Sequence, residues 1–160
     1  MEIYHSDHHH HPDSHQQLAV RTVVRPIQWI VVHCSGTRQG DSLSFKALDN
    51  YHRRLGWKGC GYHYYITRDG GLWKGRPEAE VGSHAQGYNA RSIGVCYEGG
   101  LDAEGTACDT RTPLQKLTLL SLLRALKADY PDAEILGHCE LPGVQKACPC
   151  FLASEEYRNL

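Results

Sequence analysis

Three side chains in this sequence share a chemistry. His33 closes the apolar run Trp29-Ile30-Val31-Val32, His138 follows Ile135-Leu136-Gly137, and Cys148 arrives ten positions after His138. Two imidazoles and a thiolate suit the borderline-soft Zn²⁺ ion. Three protein ligands leave one tetrahedral position for water, the arrangement of a catalytic rather than a structural site. Taken singly, each residue has a plainer reading. A strand-end histidine is commonly a hydrogen-bonding residue, and a cysteine is commonly a small buried hydrophobe.

Such a trio needs rigid elements to carry it. Gln28 to His33 is β-branched and apolar and reads as a buried strand. Ser44 can cap a helix from Phe45 to Leu55 with Phe45, Leu48, Tyr51 and Leu55 on its apolar side and Gly56 as its stop. Tyr62 to Thr67 and Leu72 to Gly75 read as strands joined by Asp69-Gly70-Gly71, a pattern that supplies positive φ and predicts a hairpin. Ser92 to Tyr97 is a further strand. Thr112-Pro113 opens a helix running to about Asp129, with Leu114, Leu117, Leu120, Leu123 and Leu126 on one face and Leu119 and Leu122 widening it. Glu134 to Leu136 is a short strand that delivers His138, and a terminal helix is expected over Ala153 to Arg158. The result is an α/β fold, a central mixed β-sheet of about five strands flanked by helices. Strand ends in such sheets are where sites assemble.

The composition excludes other classes. The chain has 160 residues, a size at which one domain is the default, and its 17 Lys+Arg against 18 Asp+Glu give a formal charge of −1. A near-neutral chain lacks the basic face that nucleic-acid binding requires. No apolar run approaches the ~20 residues that span a bilayer. Seven cysteines cannot all pair within the chain, and the N-terminus lacks the basic and apolar segments of a secretory signal. Both observations point to synthesis in a reducing cytoplasm, with cysteine as thiolate or metal ligand. Residues 1–24 are polar, non-periodic and His-rich (His5, His8 to His11 and His15), and read as a disordered leader or tag. Residues 25–160 are read as the single folded domain that would carry a catalytic site.

Six ordered motifs carry a resemblance. They are His33-Cys34-Ser35; Gly61-Tyr62-His63-Tyr64; Gly82-Ser83-His84-Ala85; Asn89 with Ser92-Ile93-Gly94-Val95; Gly137-His138-Cys139-Glu140-Leu141; and Lys146-Ala147-Cys148-Pro149. Over about residues 29–151 the chain resembles the zinc-dependent type-2 N-acetylmuramoyl-L-alanine amidases and peptidoglycan recognition proteins, in particular the phage lysozyme branch whose activity is amidase. The resemblance implies zinc held by His33, His138 and Cys148, with Tyr62 and Lys146 as catalytic residues and His84 and Asn89 lining the substrate cleft. It implies hydrolysis of the amide between N-acetylmuramic acid and L-Ala in peptidoglycan. It further implies action on the bacterial cell wall; the chain is expected to be a monomer, and its charge and short apolar runs argue against a nucleic-acid partner and a membrane span. The chemistry suits these residue types: zinc acidifies water and polarises a carbonyl, while an ammonium and a phenol can stabilise the charge that develops on the amide oxygen.

Alternatives follow from the same residues. A non-catalytic peptidoglycan-binding module on this fold is the main one; binding-only members typically lack the Cys ligand, whereas this chain has Cys148 and Lys146. Thiol-dependent hydrolysis at Cys34 would need an accessible thiolate, and strand alternation turns Cys34 away from His33. Alternation also puts Tyr62 and Tyr64 on one face, so it does not select Tyr62. His63 is either a partner behind the site or a packed imidazole. His52, beside Arg53 and Arg54, is expected to face solvent, and Glu140 to be a surface carboxylate unless it orients a ligand imidazole. Cys139 and Cys150 flank the proposed ligands, and Cys148 is preferred because the family that the chain resembles places the ligand directly before a proline, here Pro149. Cys60, Cys96 and Cys108 are read as buried or inert thiols.

Overall fold

The structure, a computed structural model, describes residues 25–160. The segment 1–24, read above as a His-rich leader or tag, lies outside the described residues. Along the chain run β1 (Trp29–Cys34), β2 (Thr37–Arg38), α1 (Phe45–Arg54), β3 (Tyr64–Ile66), β4 (Leu72–Lys74), β5 (Ser92–Tyr97), β6 (Gly100–Leu101), α2 (Pro113–Asp129), β7 (Glu134–Gly137) and α3 (Ala153–Glu156). Five strands form one mixed sheet in the order β4-β3-β5-β1-β7. β1 is parallel to both β5 and β7, β3 is parallel to β5, and β4 returns antiparallel to β3. The expected α/β architecture is present. The hairpin turn is as read, with Gly70 at φ 85° and Asp69 Oδ1 accepting from the Thr67 hydroxyl and the Gly71 amide. β2 and β6 make a separate two-residue parallel pair that the sequence does not announce, because two residues carry no periodicity.

β1 and β5 are central and covered on both sides, which is why they read as unbroken apolar runs. Alternation sorts them. Ile30, Val32, Ile93, Val95 and Tyr97 pack with Leu119, Leu123 and Leu126 of α2 in the main core. Val31 packs on the opposite face with Ala85, Leu136 and Leu141. Two residues beyond Val31, His33 leaves the sheet on that second face.

In α1 and α2 part of the expected apolar face is buried and part is exposed. In α2 the buried residues are Gln115, Leu119, Leu122, Leu123 and Leu126, whereas Leu114 and Leu117 are 55% and 64% exposed. Leucines occur around most of this helix, so they cannot choose its buried arc. Gln115 does: its Nε2 donates to the carbonyls of Ile66 and Glu98, where β3 and β5 end, and its Oε1 accepts the Thr112 amide in a capping box. In α1, capped by Ser44, the buried residues are Leu48 and His52, while Tyr51 and Leu55 are each 49% exposed. His52 does not face solvent. Its Nδ1 accepts the Gly61 amide at 2.9 Å, and its ring lies 4.6 Å from that of Trp57.

Candidate metal centre

β1 and β7 end side by side, Val32 pairing with Gly137, so His33 and His138 leave adjacent strand ends. Their ring centroids are 4.6 Å apart. The loop after His138 folds back on itself through the Cys139 amide, which donates to the Cys148 carbonyl at 2.8 Å. That contact brings the third donor home. One ligand atom from each of His33, His138 and Cys148 lies within 4.8 Å of the others, and His33 Nδ1 is 3.9 Å from Cys148 Sγ. Imidazole nitrogen and thiolate sulfur on a tetrahedral zinc ion stand about 3.6 Å apart. The donor types fit zinc, and the His33–Cys148 separation exceeds this spacing by a few tenths of an ångström.

The neighbouring thiols take other directions. Cys34 packs against the main core, yet it does not turn fully away: its thiol contacts those of Cys148 and Cys150, Cys148 being the largest influence that raises its pKa, and its backbone amide donates to Cys148 Sγ at 3.1 Å. Cys150 Sγ points to the Gly100 carbonyl at 3.4 Å. Cys60 and Cys96 are buried and Cys108 is exposed.

His33 is almost fully buried, and its Nε2 lies 2.8 Å from His84 Nδ1. His84 Nε2 is in turn 3.2 Å from Ser92 Oγ. Burial holds both imidazoles well below the usual histidine range. His84 and His138, then the Lys146 ammonium, add to this for His33; His63 and His138, then Arg25 and Arg76, add to it for His84. His138 is lowered by burial and then by Lys146. These rings are neutral at neutral pH, the form that ligates metal. Asn89 lies behind them, its Oδ1 accepting the amides of both His84 and Ala85 at 2.9 Å. His84 and Asn89, expected to line a cleft, thus have these polar atoms engaged within the protein.

Tyr62 corrects the alternation argument. β3 begins at Tyr64, so Tyr62 precedes the strand and escapes its periodicity. Tyr64 packs in the main core, whereas Tyr62 packs with Leu48, Cys60, Tyr65 and Cys96 on the other face, its ring 5.2 Å from that of His33. Burial, then Cys96 and Cys148, push its phenol well above the usual range, so it keeps its proton. Lys146 is exposed on the loop before Cys148.

Two further residues resolve. His63 is a packed imidazole: Nδ1 accepts the Gly94 amide at 3.0 Å, so Nε2 carries the hydrogen and donates to the Glu80 carbonyl at 2.8 Å. Glu140 is neither a free surface carboxylate nor a partner of a ligand imidazole. It accepts from the amides of Gly137 and Ser154 and from the Ser154 hydroxyl, clamping the turn that bears His138 to α3. The link from His33 through His84 to Ser92 was missed in the sequence. Its signal was Gly94, a lone glycine inside a β-branched strand, which marks a close approach.

The N-acetylmuramoyl-L-alanine amidase family matches residues 23–151. The chain is 44% identical over 122 residues to the endolysin of Escherichia phage T7, covering 76% of this chain and 80% of that protein. Among solved structures it resembles the N-acetylmuramoyl-L-alanine amidase LysC from Clostridium intestinale URNW, with TM-score 0.66, 35% identity, and 79% and 77% of the two chains covered. The fold is also that of PGRP-SA from Apis mellifera, with TM-score 0.68, 19% identity, and 86% and 84% covered.

Proposed function

Because this chain belongs to the N-acetylmuramoyl-L-alanine amidase family, we propose that it hydrolyses the amide between N-acetylmuramic acid and L-Ala in peptidoglycan and so acts on the bacterial cell wall. The observation that carries this reading is the convergence of His33, His138 and Cys148 within 4.8 Å, the donor set of a catalytic zinc site. Zinc held by these three residues would supply Lewis-acid polarisation of the amide carbonyl and a more acidic water.

The chain's own groups do the rest. The two imidazoles are neutral and would hold the ion as they stand, and the Cys34 amide, donating to the Cys148 sulfur, fixes that donor in place. Tyr62, protonated because it is buried beside His33, donates a hydrogen bond to the amide oxygen as negative charge grows there. Lys146, exposed on the loop before Cys148, brings its ammonium near His33 and His138 and stabilises the same charge. Among the described residues no helix is long and apolar enough to cross a membrane.

The test is to incubate the purified protein with sacculi while measuring its zinc content. The expected result is one zinc per chain and release of stem peptides with a new L-Ala amino terminus, lost on chelation and restored by zinc. Zinc-loaded protein that binds sacculi yet frees no amine would be a binding module instead.

A further inference from the structure

His84 lies in a slot built for its ring. An ideal Cβ on Gly94 would come within 2.6 to 2.7 Å of three His84 ring atoms, and one on Gly82 within 2.8 Å of His84 Cδ2. Two glycines therefore leave the space that this imidazole fills, and Asn89 fixes the backbone amide of the residue that carries it. In that slot Nδ1 faces His33 Nε2 at 2.8 Å and Nε2 faces Ser92 Oγ at 3.2 Å.

Two nitrogens 2.8 Å apart share one hydrogen, and the direction of the bond depends on the far side of His33. The nitrogen of His33 nearest Cys148 is Nδ1. A nitrogen that binds a metal carries no hydrogen, so a ligating His33 must carry its hydrogen on Nε2 and needs an acceptor there. We propose that His84 is a positioning residue, accepting the Nε2–H of His33 and holding that ring with a bare Nδ1 toward His138 and Cys148. The chain then continues without conflict: His84 donates from Nε2 to Ser92 Oγ. This assignment rests on the metal site proposed above and gives His84 a role through His33 rather than through substrate.

The test measures zinc affinity by chelator competition in the full-length protein, comparing wild type with His84→Leu and His84→Asn. Leu fills the slot but accepts nothing, and affinity is expected to fall about 10- to 100-fold, the usual effect of losing such a partner. The carboxamide oxygen of Asn can stand near the Nδ1 position, so His84→Asn is expected to recover most of the affinity. Equal affinity in wild type and His84→Leu, or equal losses in both variants, would overturn the proposal. Failure of the wild type itself to bind zinc would instead sink the metal site. A second readout needs no variant: in the zinc-loaded wild type, nitrogen-15 spectra should show a hydrogen on His33 Nε2 and none on His84 Nδ1. A hydrogen on His84 Nδ1 would contradict the assignment.

Discussion

The backbone N–H of Cys34 meets the Sγ of Cys148 at 3.1 Å, so the last residue of β1 hydrogen-bonds one of the proposed metal donors while the residue before it is another. The Ser35 amide bonds Tyr97 on the β5 side, so alternation aims the Cys34 amide toward β7. β7 has ended by then, its register with β1 closing at Val32 and Gly137. The thiol takes the place of a ladder acceptor. Strand termination and thiol placement are one arrangement, which is why a side chain 114 positions away in sequence is held against β1.

Cys148 and Cys150 should therefore separate cleanly. Cys148→Ala is expected to lose stoichiometric zinc and all turnover. Cys150→Ser should keep both, because Cys150 Sγ points to Gly100 rather than into the donor set. Metal analysis of the two purified variants checks this, and loss of zinc in Cys150→Ser would reassign the ligand.

Lys146 and Tyr62 are expected to affect rate and not metal. Lys146→Ala and Tyr62→Phe should each retain zinc and fold, with turnover falling on the order of 10²–10³, the usual consequence of removing one donor to a developing oxyanion. The pair is distinguishable by stability. Lys146 is exposed, so its replacement should leave the urea midpoint unchanged, whereas Tyr62 packs beside His33 and His52.

His63 gives the fold a dependence on acid. Burial holds its imidazole at about 4 against the usual 6.5. A ring whose pKa is depressed by folding stabilises the native state above the unfolded value and loses that contribution as pH falls through the folded one. The window is thus pH 6.5 down to about 4, and the gap is worth about 3 kcal/mol. Protonating Nδ1 would also break its bond to the Gly94 amide. Urea midpoints should fall across this window in the wild type, and His63→Gln should flatten that fall. Parallel curves for the two proteins would exclude His63 as a source.

Much of this architecture is legible in the sequence where a pattern has enough residues to repeat. β1 and β5 are six-residue apolar strands, and the caps at Ser44 and Thr112 are where Ser and Thr-Pro put them. Strand ends single out His33 and His138, whereas Cys148 joins them only through the family resemblance of the segment before Pro149. Helix rotation was only partly legible: Leu48, Leu119, Leu122, Leu123 and Leu126 are buried as expected, but the rest of each face is set by polar contacts made across the fold. Gln115 turns α2 toward two strand-end carbonyls, and His52 turns α1 toward the Gly61 amide. Hydropathy assigns both residues to the outside. Glu140 was misread for the same reason, its partners lying on α3.

His52 consequently predicts a stability effect where the sequence suggests none. His52→Leu leaves the Gly61 amide without its acceptor in a buried setting, a loss of about 1–3 kcal/mol. Because Gly61 immediately precedes Tyr62, turnover should fall as well while zinc content stays at one per chain. A denaturation midpoint equal to the wild type would mean that the Gly61 amide finds another partner.

Gly94 offers the sharpest separation of metal affinity from stability. Its backbone lies outside the positive-φ region, so alanine can adopt it, yet the added Cβ would meet the His84 ring at 2.6 Å. β5 is a central strand and Gly94 pairs with Val31, so the ring has to yield rather than the backbone. Displacing it takes the acceptor from His33 Nε2 without touching any of the three donors. Gly94→Ala is expected to weaken zinc binding about 10- to 100-fold while the circular dichroism of the fold persists. Ile93→Val is the matched control: the adjacent residue faces α2, and its truncation should cost about 0.5–1.5 kcal/mol of stability with zinc affinity unchanged. If Gly94→Ala binds zinc like the wild type, the close approach of His84 to β5 has no bearing on the metal. If Ile93→Val loses zinc as well, the effect is one of general stability and His84 has no special part in it.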